Sequence, residues 1–161
     1  MRTIHIIGVG NLKEKYLRDA AAEYEKRLSA YCKLIITEVS EYKLPEKPSP
    51  SEIARGIEME GSAIAAKIAS NAAIVALCIE GDILSSETFS EKLASLMSDE
   101  SASELTFIIG GSYGLSEEIK KRAKMKLSLS RMTFTHQISR VLILEQIYRA
   151  FQISTGGKYH K

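Results

Sequence analysis

Two stretches, AAIVALCIEG (residues 72–81) and ELTFIIGG (104–111), are unbroken apolar runs that close on glycine. Runs of this length, with no polar alternation, are the pattern of strands buried on both faces, and such strands belong to parallel sheets covered by helices above and below. Between them, SSETFSEKLASLMS has the length and serine start of a capped crossover helix. TIHIIGV (3–9) and KLIITEV (33–39) read as two further strands, and LSLS (127–130) as a short one.

Helical patterns fill the gaps. NLKEKYLRDAAAEYEKRLSAYC places Asn11 and Glu14 in capping-box spacing, with Leu17, Ala21, Tyr24 and Leu28 at helical intervals. SEYKLPEKPSPSE holds all three prolines and predicts a loop. It ends in a second helix start, with Ser49 as cap, Pro50 at the first helical position and Glu52 three residues after the cap. LSEEIKKRAKMK predicts a short helix, and a long one starts near His136. Alternation throughout predicts one α/β domain over residues 1–161, a parallel sheet with helices on both faces. At 161 residues and 45% apolar content the chain can bury a sizeable core.

The last helix is apolar almost all round. Ile138, Val141, Leu142, Leu144, Tyr148 and Phe151 form one stripe, and Ile143, Ile147 and Ala150 widen it. Such a helix needs cover on two sides. Its own sheet supplies one, and a second copy of the chain is the expected cover for the other, which predicts a homodimer.

The net charge of +2 hides an asymmetry. Residues 1–119 carry 12 basic and 19 acidic side chains, a net of −7, whereas residues 120–161 carry 10 basic side chains and only Glu145, a net of +9. This points to a polyanionic partner, with nucleic acid foremost, although KKRAKMK by itself also fits a solvated helix end. No run approaches the roughly 20 apolar residues of a membrane span and the start lacks a secretory signal, so a cytoplasmic protein is expected. Cys32 and Cys78 read as free buried thiols.

Several chemistries are absent from the pattern. After the first strand, G-x-G-x-x-G would need glycine where Lys13 stands, and no phosphate-loop motif occurs. Three scattered histidines offer no metal spacing, and no serine sits in G-x-S-x-G. What remains are the loops EGDILSS, GGSYGL and SRMTFTHQ beyond buried strands, where open α/β sheets bind ligands. Glycines 110, 111 and 114 either admit a ligand to the main chain or only make the turn.

LTFIIGGSYGL, LSLSRMTFTHQISRVLILEQIYRAF and the terminal KYHK together resemble the ribosomal large subunit methyltransferase H family, a minimal branch of the SPOUT class of RNA methyltransferases. The resemblance extends to GVGNLKEKYLRDAAAEYEKRL and so covers essentially the whole chain. It implies a deep trefoil knot in the C-terminal part of the sheet, S-adenosylmethionine as methyl donor, no metal and a homodimer. It also implies a pseudouridine in large-subunit ribosomal RNA as substrate, methylated at N3. Donor contacts carry over to Leu77, Gly110, Leu129, Ser130, Arg131, Met132, Thr133 and Phe134. The sequence departs from the family pattern at Thr135, where proline is common, and at Cys78, where an acid is frequent.

The ending GGKYHK predicts a tail freed by two glycines to cross toward a partner's pocket, where Tyr159 and His160 complete the substrate site and Lys158 and Lys161 meet RNA. Arg140 joins them as a candidate. A buried arginine must be paired, which leaves it open between an ion pair across the dimer and an RNA phosphate. His136 is expected to shape the helix start, and His5 to pack within the first strand. A non-catalytic RNA-binding or ribosome-associated protein is the alternative reading, distinguished by whether the glycine and SRMTF loops converge on one pocket.

Overall fold

Strands β1 (Thr3–Val9), β2 (Lys33–Val39), β3 (Ala73–Ile83), β4 (Leu105–Ile109) and β5 (Met125–Ser128) make one parallel sheet in the order β2-β1-β4-β3-β5. The structure is a computed structural model and describes residues 1–161. Because strand side chains alternate between faces, each buried strand feeds two cores. Ile4, Ile6, Val75, Leu105 and Phe107 face α1 (Lys15–Leu28), α3 (Ser86–Met97) and α5 (His136–Ser154). Ile7, Val9, Ile74, Ala76 and Ile108 face α2 (Pro50–Ala65) and α4 (Glu117–Arg122). The expected α/β architecture with helices on both faces is present, and no helix is long and apolar enough to cross a membrane.

Local signals mark most of the elements. The Ser49 hydroxyl accepts from the Glu52 amide while the Glu52 carboxylate accepts from the Ser49 amide, closing the capping box ahead of Pro50. Ser85, Ser116 and Thr135 cap α3, α4 and α5 through their hydroxyls alone, which accept from the amides of Thr88, Ile119 and Ile138.

Two local expectations are corrected. The Asn11–Glu14 capping box does not form; α1 begins at Lys15 with Glu14 as a cap that makes no side-chain bond. The preceding loop is held by tertiary bonds, with Arg18 donating to the Leu12 and Lys13 carbonyls and the Lys13 amide donating to Gln137 of α5. The fourth helix stops at Arg122 rather than running through KMK, and β5 starts at Met125, two residues before the expected LSLS strand. There the Lys124 amide donates to the Ile74 carbonyl and Met125 pairs with Val75, so sheet pairing ends the helix.

One irregularity matters for function. Leu77 and Asp82 of β3 both register with Leu127 of β5, so Cys78–Gly81 leave the strand as an arch and return to it. Gly81 seats the return: a Cβ there would lie 2.7 Å from the Lys126 carbonyl carbon and oxygen. The apolar run that reads as one strand is one strand, β3, but carries a four-residue bulge at the carboxyl edge of the sheet.

Helix α5 packs between α1 and α3. Its core face is Ile143, Leu144, Ile147 and Ala150, with Val141, Tyr148 and Phe151 partly buried against it. Ile138 is exposed and Leu142 half-buried, leaving an apolar strip outside this core.

Candidate active site

Three loops meet beyond the carboxyl ends of β3, β4 and β5: the Cys78–Gly81 arch, the glycine turn 110–114 and the segment 129–135 that leads into α5. They enclose a cavity of about 630 Å³, within the roughly 300–1,000 Å³ typical of small-molecule sites. Of the eight expected donor-binding residues, Leu77, Gly110, Leu129, Ser130, Met132, Thr133 and Phe134 line it. Arg131 does not. Its guanidinium reaches back to donate to the Ile79 and Gly81 carbonyls and straps segment 129–135 to the arch.

The wall chemistry suits a ligand that is part apolar ring and part polar chain. Met132, Phe134, Ile79 and Tyr113 are exposed apolar side chains at this site. The backbone amides of Ser130, Arg131, Thr133 and Phe134 donate to no group of the chain, whereas the Met132 amide is taken by Ser130 Oγ. Free main-chain donors along a segment that lines the cavity can meet a polar ligand with little demand on side-chain identity. A donor such as S-adenosylmethionine fits this set. The turn that faces it is tight, since a Cβ on Gly110 would come 2.7 Å from the Gly114 carbonyl carbon. Gly114 itself has φ +86°, a conformation glycine adopts without strain.

At the rim, Lys120 pairs with Glu80 of the arch at 2.5 Å and with Glu117 at 3.5 Å. The Lys120 contact holds the Glu80 carboxyl below its usual range. Cys78 lines the cavity too, and burial pushes its thiol up, so it is not a ready nucleophile. No cluster of three metal-ligating side chains exists.

His136 is the first residue of α5, and Thr135, not His136, is the cap. The imidazole lines the cavity beside Gly10, whose φ is +78°. Burial lowers its pKa, with Glu41 opposing and Arg140 and Lys13 assisting, which favours neutral imidazole.

Arg140 takes a role that sequence reasoning did not anticipate. Instead of a dimer partner or a phosphate, its buried guanidinium binds Glu38 of β2 at 2.5 Å and the Gly10 carbonyl at 2.8 Å. Gly8 makes the room, since a Cβ there would stand 3.1 Å from Arg140 Nη2. Arg140 thus ties the start of α5 to the turn that touches His136. His5 is buried between Glu104 and Thr37, as a packed strand residue.

The tail lies elsewhere. Tyr159 stands edge-on to Tyr148 at 4.9 Å, under the Arg149 guanidinium at 4.7 Å, with its hydroxyl donating to Glu145 at 3.1 Å. Burial, then the bonds to Tyr24 and Glu145, push its pKa up. Arg149 can only donate, so His160 Nδ1 accepts from it at 3.1 Å and Nε2–H donates to Glu87 at 2.7 Å. These anchors sit six or more residues along α5 from the helix's last cavity residue, Ser139, a separation of about 9 Å or more along the axis. Tyr159 and His160 are therefore brought together with each other, but not with the cavity of their own chain.

A five-stranded parallel sheet with helices on both faces and a ligand-sized cavity beyond its strand ends is consistent with the SPOUT methyltransferase fold, and residues 1–160 match the family model described as "Predicted SPOUT methyltransferase". Relatives named "Ribosomal RNA large subunit methyltransferase H" are similar over nearly the full length of both chains. One from Ligilactobacillus salivarius is 51% identical over 98% of this chain and 99% of its own. Others from Carboxydothermus hydrogenoformans and Streptococcus pneumoniae are each 48% identical with the same coverage. The chain belongs to the ribosomal RNA large subunit methyltransferase H family of SPOUT methyltransferases.

Proposed function

We propose that the protein is an S-adenosylmethionine-dependent methyltransferase that methylates N3 of a pseudouridine in large-subunit ribosomal RNA, in the cytoplasm. The carrying observation is that seven of the eight residues expected to hold the donor line one cavity, while the eighth straps two of its three loops together. A protein that only bound RNA would have no use for that convergence.

When bound, the donor supplies an electrophilic methyl on a sulfonium sulfur, which departs as a neutral thioether. The protein's part is to align acceptor with methyl, exclude water and take up the N3 proton. Main-chain amides of Ser130, Arg131, Thr133 and Phe134 orient the donor, and the exposed Met132 and Phe134 cover it. Arg140 is a positioning residue: it fixes the Gly10 turn against His136.

The tail works in the partner's site. With Tyr159 and His160 docked on α1, α3 and α5 at a distance from their own cavity, a twofold dimer built on the Ile138–Leu142 strip would carry each tail to the other protomer's pocket. There His160 orients the base, or accepts its proton at Nδ1 once Arg149 releases that nitrogen. The C-terminal part of the sheet is read as the deep trefoil knot that the family resemblance implies, and an experimental backbone trace through residues 78–135 tests that crossing.

The deciding experiment is transfer of labelled methyl from S-adenosylmethionine to large subunits, assembled ribosomes and protein-free RNA lacking the modification. Label on a pseudouridine in a ribosomal particle is expected. A folded protein that binds the donor and labels none of the three overturns the proposed substrate, and loss of donor binding as well would favour a plain RNA-binding protein. Sedimentation tests the dimer. Truncation after Gly157 should abolish methylation and leave donor affinity intact; a truncated protein with full activity removes the tail from the mechanism.

A further inference from the structure

Beyond the glycine turn, along the same carboxyl edge, lies a second cavity of about 420 Å³ that shares Ser112 and Tyr113 with the first as a common wall. Its floor is α2 and its roof the loop that follows β2: Glu41, Tyr42, Lys43 and Leu44 face Ile53, Gly56, Ile57 and Glu60. The site is built rather than incidental. Gly56 is buried and lets the Tyr42 ring lie on the helix, where a Cβ would be 3.1 Å from that ring. Glu60 accepts the Tyr42 amide at 2.9 Å with one carboxylate oxygen, and the other lies against Gly111 of the glycine turn, 2.9 Å from where a Cβ would be. One carboxylate thus ties the roof of the second cavity to the wall of the first. Two acceptor oxygens carry about four lone-pair positions, and only one is taken by a hydrogen bond within the chain.

We propose that this second cavity receives the target base, with Tyr42 and Tyr113 giving it aromatic faces and Glu60 reading the edge that distinguishes pseudouridine from uridine. This rests on the function proposed above. Pseudouridine is joined to its ribose through carbon, which leaves N1–H as a donor where uridine presents C5–H. A half-buried carboxylate is the complementary acceptor. Against uridine it would be desolvated with no partner, the situation in which a hydrogen-bonding site rejects an analogue most strongly. The position fits as well, since N3 and N1 flank C2 and point about 120° apart, so a base held across the Ser112–Tyr113 wall can turn N3 toward the donor cavity and N1 toward Glu60.

The test uses the full-length protein and two variants, Glu60→Gln and Tyr42→Leu. S-adenosylmethionine affinity is measured by calorimetry, and kcat/KM on ribosomes carrying either pseudouridine or uridine at the target position. Glu60→Gln keeps an acceptor for the Tyr42 amide, so the roof loop should hold even if Tyr42→Leu unfolds it. Expected are unchanged donor affinity, a fall of about 10- to 100-fold in kcat/KM on the pseudouridine particle, and for Glu60→Gln a reduced preference for pseudouridine over uridine. Donor binding that weakens in step with activity would assign the cavity to the donor instead. Wild-type kcat/KM and preference in Glu60→Gln would overturn the proposal. A wild-type protein that methylates neither particle fails at the level of the function itself, independently of either variant, and the base subsite falls with it.

Discussion

Gly81→Ala should disable the donor site through the backbone alone. The added Cβ would stand 2.7 Å from the Lys126 carbonyl carbon and oxygen and 2.8 Å from the Leu127 carbonyl carbon. Carbon atoms in contact prefer about 3.5–4.0 Å, so β3 and β5 must part by roughly 1 Å at this point. A ladder bond of normal length stretched that far is no longer a hydrogen bond. The pairings at risk are Asp82 with Leu127 and Ile83 with Ser128, which close the arch. Losing about two bonds at about 1 kcal/mol each, with some overpacking, puts the stability cost at roughly 2–4 kcal/mol. The arch also carries the carbonyls that hold Arg131, and a 1 Å misplacement of a positioning element can cost about 10²-fold in rate. Urea unfolding reads the first effect, while donor titration and methyl transfer read the second. Gly114→Ala is the control: φ is +86° with nothing within 4 Å of a Cβ, so strain alone, about 1–2 kcal/mol, is expected there. If Gly81→Ala unfolds at the wild-type midpoint and binds donor normally, the arch is not seated on β5 and the argument fails.

Arg131→Ala should weaken donor binding by about tenfold, since its side chain is exposed yet straps the two cavity loops, and should leave the unfolding midpoint in place. A lower midpoint with normal donor affinity would make Arg131 a stability residue only. Arg140→Met should cost about 2–3 kcal/mol in urea unfolding, below the usual range for breaking a buried pair because Glu38 is 42% exposed and regains water. Cys32 gives a pH signature: burial raises its thiol from 9.0 to about 11. A group whose folded pKa is raised stabilises fully below the unfolded value, so this contribution, about 2–3 kcal/mol, should be lost as pH climbs from 9 through 11. Cys32→Ala should flatten that alkaline limb of the stability curve, and an unchanged limb would assign it to other groups.

What could be read from the sequence was what local chemistry decides. Apolar runs closed by glycine and serine caps three residues ahead of an amide are visible in a window of ten residues, and β1, β2, α2 and α3 lie where those signals put them. The boundary between α4 and β5 was not legible, because Lys124 and Met125 are taken by β3, some 50 residues earlier in the chain. Nor was the arch: CIEG continues an apolar run, and only the spacing of β5 shows that four residues step out of the ladder. The donor residues were legible through family resemblance. The Arg140–Glu38–Gly10 tie was not, since it spans more than 100 positions and each residue alone has many uses.

The basic C-terminal quarter shows how far composition can carry an inference about a partner. Of its ten cationic side chains, Lys120, Lys124, Arg140 and Arg149 are paired with carboxylates of the same chain, and Arg131 is spent on carbonyls. Five remain exposed and free of such pairs: Lys121, Arg122 and Lys126 around α4 and β5, and Lys158 and Lys161 in the tail. Half of the ten bases are therefore free to meet phosphate, because Lys120, Lys124 and Arg140 neutralise acids from the first 119 residues, Arg149 pairs with Glu145 and Arg131 holds carbonyls. What survives is two separate basic clusters, one on the strand edge outside the donor cavity and one on the tail. In the dimer proposed above, Lys158 and Lys161 would travel with the tail to the other protomer's cavity, so the free charge of the tail and the residues Tyr159 and His160 would meet the same RNA.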